Sequence, residues 1–274
     1  MNSQLLLKEK VALITGGSRG IGLAIAQGFV TAGAHVVIAA REQGRLNDSI
    51  SALKDLAHTI DADNGTKIQV SGVVADVRDQ GQVEAMVEDV MQLHNRIDIL
   101  SNTAGRGGGG PTVATDPEIW YDIIDTNLHG VYRVTRAVLA RSGMLDRRWG
   151  RIINMASTGG KQGVLFAAAY TASKHGVVGF TKSLGLELAK TGVTVNAICP
   201  GFVETDLAVK AREVYSQVWG ITPEEVLKRF ETRIPLGRYV VPEEVAPMAV
   251  YLASDIAAPI LAQAINICGG LGNY

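Results

Sequence analysis

The sequence predicts an α/β fold, a single-domain Rossmann-type, doubly wound parallel sheet of about seven strands with flanking helices, spanning residues 1–274. Three observations carry this. Short runs rich in valine and isoleucine alternate with segments of helical period, and both faces of each run are apolar, as in strands covered by helices on two sides. The first run opens directly into a glycine-rich turn. Polar residues suited to ligand binding stand just past the ends of several runs, where open parallel sheets bind their ligands.

Taken in order, the strands are expected near Val11–Thr15, His35–Ala39, Gln69–Ala75, Ile97–Ser101, Arg151–Met155, Thr194–Ile198 and Ala264–Ile267. After the first comes Thr15-Gly16-Gly17-Ser18-Arg19-Gly20-Ile21-Gly22, and Ile21, Ile25 and Phe29 then fall at helical spacing. Strand, glycine turn and helix in this order form a phosphate cradle. Glycine permits positive φ and close approach, and the helix N-terminus presents amide donors. The strand ends place Gly16, Asn102, Ser157 and Pro200 around one cleft. The glycine run Gly107–Gly110 and the stretch Leu207–Pro235 read as irregular insertions over it, the latter a substrate lid at about 207–235. There is no internal repeat and no second domain.

A length of 274 residues, 47% hydrophobic, is ample for one large core. A formal charge of −1 gives no reason to expect nucleic acid or an anionic membrane as partner. Cys199 and Cys268 have neither disulfide nor zinc spacing and read as small buried hydrophobes; no metal site is expected. Leu5-Leu6-Leu7 before Lys8 is too short for a signal peptide, and no stretch is apolar enough to span a bilayer, so a cytoplasmic location is expected.

Chemistry enters with Tyr170-Thr171-Ala172-Ser173-Lys174. Four residues apart, Tyr170 and Lys174 share a helix face, where the ammonium is expected to lower the phenol pKa from its ordinary value of about 10. Ser157, from a strand end, then donates to the same substrate oxygen. This is equipment for interconverting a ketone and an alcohol. A lone Tyr-x-x-x-Lys is weak evidence; the glycine turn upstream gives it weight. Charge selects the dinucleotide. Arg41 stands past the second strand, where sheets that prefer NAD carry an acid, and Arg19 lies in the glycine turn. Two guanidinium groups suit a 2′-phosphate, so NADPH is expected.

The variant Thr-Gly-x-x-x-Gly-x-Gly, with Asn102-Thr103-Ala104-Gly105, Asn127 in Asp125-Thr126-Asn127-Leu128, Ser157, Tyr170 with Lys174, and Pro200-Gly201 with Val203 and Thr205, resembles the short-chain dehydrogenase/reductase family from end to end. Thr103 stands where that family has a second asparagine. The resemblance implies a catalytic set of Asn127, Ser157, Tyr170 and Lys174. Tyr170 would be the general acid, Ser157 would polarise the carbonyl, Lys174 would hold the ribose, and Asn127 would anchor a water that relays the replacement proton. Cofactor contacts are implied for Thr15, Gly16, Ser18, Arg19, Gly20, Ile21, Gly22, Arg41, Asp76 (adenine amine), Val77 (adenine ring), Asn102, Ala104, Gly105, Tyr170, Lys174, Pro200, Gly201, Val203 and Thr205. The family usually forms homotetramers, and the apolar, glycine-rich segment Asn266–Tyr274 is expected in a subunit contact.

Ala156-Ser157-Thr158-Gly159-Gly160-Lys161-Gln162-Gly163-Val164 and Cys268-Gly269-Gly270-Leu271-Gly272-Asn273-Tyr274 are similar to the ketoreductases of aromatic (type II) polyketide synthases. This resemblance implies reduction of one ketone, at C9, of a polyketide bound to an acyl carrier protein. The likeness departs between Lys54 and Gln69, where this chain is longer, and at Gly107, where that group often has proline. Substrate contacts are expected from Arg106, Gly108, Gly109, Ser157, Gln162, Val164, Tyr215 and Trp219, and Arg45, Arg78 and Arg106 are candidates to meet the anionic carrier arm. Alternatives are a 3-oxoacyl-[acyl-carrier-protein] reductase of fatty acid synthesis, another NADPH-dependent carbonyl reductase, or a non-catalytic NADPH-binding sensor.

Overall fold

The structure is a computed structural model that describes residues 5–274. Seven parallel strands, β1 (Val11–Thr15), β2 (His35–Ala40), β3 (Val70–Val74), β4 (Ile99–Asn102), β5 (Gly150–Met155), β6 (Val193–Pro200) and β7 (Ala264–Ile267), lie in the order β3-β2-β1-β4-β5-β6-β7. The order reverses beside β1. There Thr15 is in register with both Ala39 of β2 and Asn102 of β4. A crevice opens at such a reversal, because the chain leaves the two strands in opposite directions.

The helices are α1 (Gly20–Thr31), α2 (Gln43–Asn64), α3 (Gln80–His94), α4 (Pro117–Ile124), α5 (Gly130–Arg141), α6 (Ala168–Glu187), α7 (Asp206–Trp219), α8 (Pro223–Glu231) and α9 (Pro242–Ala253). One apolar layer packs Phe29 and Ile25 of α1 and Leu252 of α9 beneath Ile14 and Ile38. The opposite layer packs Met86 of α3 and Val134 of α5 on Leu13 and Leu100. Burial of the central strands β1, β4, β5 and β6 on both faces is why their sequence is mostly apolar, whereas the edge strands β3 and β7 are only partly buried. The extra length after Lys54 is helix: α2 runs to Asn64 and stops at Gly65, which takes the left-handed conformation at φ 64°. No helix of the described residues is long and apolar enough to cross a membrane.

The stretch 207–235 corrects an expectation. It is not irregular but mostly a pair of helices, α7 and α8. Thr205 caps α7 by accepting from the Ala208 N–H, and Gly220 ends it at φ 65°. Thr222, Pro223 and Glu225 start α8 with a reciprocal capping box. A small aromatic core holds the pair together. Tyr215 packs on Trp219 and Phe230 with ring centroids 4.9 Å apart in both cases, and Phe202 stacks on Phe230 at 4.6 Å. Tyr215 and Trp219 share one face of α7 at helical spacing, Phe230 comes from α8, and Phe202 reaches in from the segment after β6.

Candidate active site

The glycine turn leaves β1 with Gly16 at φ 68° and Gly20 at φ 51°. A side chain at Gly16 would lie 2.8 Å from Ala104 Cα, and one at Gly22 would run into the Gly16 carbonyl. Only glycine lets α1 begin this close to the strand end. The Thr15 hydroxyl accepts from the N–H groups of Thr103 and Ala104, both at 3.2 Å, tying the turn to the segment after β4. Ser49 of α2 donates to the Ser18 carbonyl at 3.0 Å and braces the turn from behind. Thr205 abuts it from the front, since a side chain at Gly20 would lie 3.4 Å from its methyl group. Ile21 packs on the core beneath. The Gly16 and Gly17 amides are bonded to the Ala39 carbonyl, so the turn is a fixed cradle that presents the amides from Ser18 onward at a helix N-terminus, which fits a dinucleotide pyrophosphate.

Arg19 and Arg41 are about half exposed at the rim. Arg19 reaches Asp206 at 3.0 Å, and Arg41 lies 3.9 Å from Asp76. The Asp76 carboxylate already accepts from the Arg78 guanidinium at 2.7 Å, which leaves Arg41 loosely held and free to meet a 2′-phosphate. Burial raises the Asp76 pKa, but the Arg78 hydrogen bonds outweigh it and keep the carboxylate below its ordinary range. Val77 differs from expectation. Its side chain is buried against Gly130, where a Cβ would lie 2.7 Å from Val77 Cγ2, so it belongs to the core. Asn102 is likewise internal, its amide donating to Thr135 and Asn154 at 2.9 Å each.

The four polar residues singled out by the sequence come together. Ser157 starts a 3-10 turn, Thr158–Gly160, and its hydroxyl accepts from the Gly159 N–H at 3.0 Å. A side chain at Gly159 would lie 3.4 Å from Ser157 Oγ and 3.5 Å from Tyr170 Cε1, so a missing side chain is what lets serine and tyrosine share one space. A side chain at Gly105 would lie 3.4 Å from Asn127 Oδ1 and 3.7 Å from Lys174 Nζ, which joins the other two residues to the strand end. Lys174 donates to the Met155 carbonyl at 2.7 Å. Asn127 is fully buried in a π-helical segment, Asp125–His129, an irregularity of the kind found at functional sites. Its amide donates to the Arg106 carbonyl at 3.0 Å and to Ser173 Oγ at 3.1 Å, and its oxygen accepts from the Arg106 N–H at 2.9 Å.

The titration of this cluster corrects a second expectation. The Tyr170 pKa is raised rather than lowered: burial pushes it up, and the neighbouring Ser157 hydroxyl only partly opposes this. Burial also brings Lys174 down from 10.5 to about 8. Proximity along a helix predicts attraction, whereas desolvation of two enclosed groups disfavours charge on each.

Past Pro200, the Gly201 N–H donates to Ile267 at 3.0 Å and leaves no room for a side chain beside Cys268. Val203 forms an isolated bridge with Val240. A groove lies between the Gly107–Gly110 loop and the segment after Ser157, lined by Gly110, Pro111, Val164, Leu165 and Phe166 among others. The Gly110 N–H donates to the Phe166 carbonyl at 2.7 Å, and a side chain at Gly109 would collide with that oxygen. Gly108 sits at φ 149° against Ile119 and Ile123. Val164 lines this groove, while Gln162 sits half-buried on the same segment. Tyr215 and Trp219 do not line it. Tyr215 is 7% exposed, and its hydroxyl donates to the Leu165 carbonyl at 2.5 Å, so it supports the wall from behind. Arg45 pairs with Glu42, and Arg78 and Arg106 both pair with Asp122, so none of these three arginines is free of an acidic partner. Sequence reasoning missed Ser173, Phe166 and Asp122. Ser173 stands beside Lys174 in the motif, but its bond to Asn127 comes from another helix and carries no local signal.

Residues 10–216 match the profile of the short chain dehydrogenase family. A protein of Streptomyces coelicolor named as a ketoacyl reductase is 50% identical over 97% of this chain and 98% of its own length. One from the granaticin polyketide synthase of Streptomyces violaceoruber, likewise named, is 51% identical over 97% of this chain and 94% of its own. Among solved structures, a variant of actinorhodin polyketide ketoreductase with NADPH superposes with a TM-score of 0.91 at 50% identity, covering 97% of this chain and 98% of that one. Levodione reductase superposes at 0.86 with 30% identity, covering 96% and 98%. With the glycine cradle, the Ser157–Tyr170–Lys174 cluster and the strand order all in place, this chain belongs to the short-chain dehydrogenase family and is an oxidoreductase.

Proposed function

We propose that this chain is an NADPH-dependent ketoreductase that reduces one ketone, at C9, of an aromatic polyketide intermediate carried on an acyl carrier protein. The observation that carries the reading is the meeting of Asn127, Ser157, Tyr170 and Lys174 beside the glycine cradle, in a chain about half identical to proteins named for polyketide ketoacyl reduction. The backbone of Gly16–Gly22 would hold the pyrophosphate, Arg19 and Arg41 the 2′-phosphate, and Lys174 the ribose. NADPH, when bound, supplies the hydride. Tyr170, whose pKa is raised, keeps its proton at neutral pH and gives it to the carbonyl oxygen, while Ser157 donates to the same oxygen as negative charge develops there. Both amide hydrogens of Asn127 are committed within the protein, so it holds the relay water through oxygen.

The helix pair α7–α8 acts as the lid, braced on Leu165 by Tyr215. The groove it supports is walled by Val164, Leu165 and Phe166 and suits a rigid, partly cyclised chain, whose ordering loses less conformational freedom than that of an open chain. Gln162 would fix which ketone meets Tyr170. The subunit is proposed to assemble as a homotetramer.

The test compares trans-1-decalone with acetoacetyl thioester as substrates under NADPH. The bicyclic ketone is expected to be reduced with at least about tenfold higher kcat/KM, the difference made by about 1.4 kcal/mol in transition-state binding. Equal or faster turnover of the thioester would favour the fatty-acid reductases instead.

A further inference from the structure

We propose that Asp122 is a positioning residue for Asn127, acting through Arg106; this rests on the reading that Asn127 serves the reduction. Asp122 lies on α4 and joins two arginines. One carboxylate oxygen accepts from Arg78 Nη1 at 2.7 Å, and the other pairs with Arg106 Nη1. Arg78 in turn grips Asp76 through Nε at 3.0 Å and Nη2 at 2.7 Å. Charges thus alternate in one chain, Asp76–Arg78–Asp122–Arg106, from the end of β3 to the loop after β4.

What makes this chain functional is its far end. The main chain of Arg106 makes both a donated and an accepted hydrogen bond with the Asn127 side-chain amide. Arg106 belongs to the glycine-rich stretch Gly105–Gly110, which forms neither helix nor strand, so little local structure fixes it. Its guanidinium is the anchor, and Asp122 is what it is anchored to. The anchor stands five residues before Asn127, on the helix that runs directly into the π-helical segment, so one short stretch holds both ends of the link. Each of these side chains is about one-fifth to two-fifths exposed, and each pair alone would do little; joined with shared carboxylates and parallel N–H contacts they act as one unit. Asp122 keeps the Asn127 amide turned so that its oxygen faces the relay water. It touches neither substrate nor cofactor.

The experiment is a double-mutant cycle on the full chain with NADPH and whichever of trans-1-decalone and acetoacetyl thioester it reduces faster. Asn127→Ala alone tests the reading beneath, since an unaltered kcat there removes the role of Asn127 whatever Asp122 does. Asp122→Asn is expected to lower kcat about tenfold with little change in the KM of the ketone, and to lower it no further in the Asn127→Ala background. Arg106→Met breaks the same link from the other side without altering α4 and is expected to match it. An unaltered kcat in both variants, or the same fold-loss repeated in the Asn127→Ala background, would overturn the proposal.

Discussion

At the scale of single residues, burial governs the candidate site more than proximity does. Lys174 is the clearest case. In the unfolded chain its ammonium titrates near 10.5, while in the folded protein it does so at about 8. Between those values the folded state binds fewer protons than the unfolded one, so the Lys174 contribution to stability rises with pH across that window and is lowest below it. The consequence for binding runs the other way. An ammonium that holds the ribose is charged at pH 7 and lost as pH passes about 8, so affinity for NADPH is expected to weaken above that pH. Lys174→Met should bind weakly at all pH values and lack the inflection. Fluorescence titration of cofactor from pH 6.5 to 9.5 reads this directly; wild-type affinity independent of pH would contradict it.

At the scale of elements, the helix pair over the cleft is where local sequence and tertiary packing part company. The central strands were legible because they are buried on both faces, as Val11–Thr15 is, and the edge strand Ala264–Ile267, though partly exposed, still stands where its apolar run places it. The lid helices were not, although Thr205, Gly220 and the Thr222–Glu225 box mark their ends and Tyr215 with Trp219 and Val226 with Phe230 fall at helical spacing, because their apolar faces close on each other and on Phe166 in a small separate cluster away from the sheet. For the same reason the sequence assigns Tyr215 to the substrate wall, whereas the fold puts Phe166 and Leu165 there with Tyr215 behind them. This division has a measurable edge. Tyr215→Phe keeps the ring and removes only the hydroxyl that donates to Leu165, so stability is expected to fall by about 1 kcal/mol, the usual net worth of such a bond. Loosening the wall should also raise KM for the ketone while leaving KM for NADPH nearly unaltered. Urea melts with steady-state kinetics check both; a melt and a ketone KM identical to wild type would refute the bracing role.

At the scale of the whole molecule, the open question is which surfaces meet a second copy. The segment after β7 was expected in a subunit contact because it is too apolar for a solvated tail. The chain explains part of that apolarity internally. Lys161 donates to Ala264 and Asn266 at 2.6 and 2.8 Å, Asn266 donates to the Gly272 carbonyl at 3.0 Å, and the Leu236 N–H donates to Gly269, so the segment is fastened onto its own subunit. Fastening does not cover it: all four residues of β7 remain partly exposed, and β7 is an edge of the sheet. Elsewhere, Tyr132 of α5 and Leu186 of α6 are 53% and 71% exposed, and Tyr132 meets Phe180 edge-on at 6.3 Å. The exposed apolar side chains of α5 and α6 and the partly exposed sheet edge β7 offer two faces for contact with other copies. Two such faces, each paired about its own two-fold axis with the axes meeting at right angles, close four subunits, whereas either alone stops at two. Light scattering at micromolar concentration is therefore expected to give four chains per particle. Tyr132→Glu, which places charge on one face only, should leave a dimer rather than a monomer. A monomeric wild-type protein would refute the assembly, and a monomeric Tyr132→Glu variant would refute the second face.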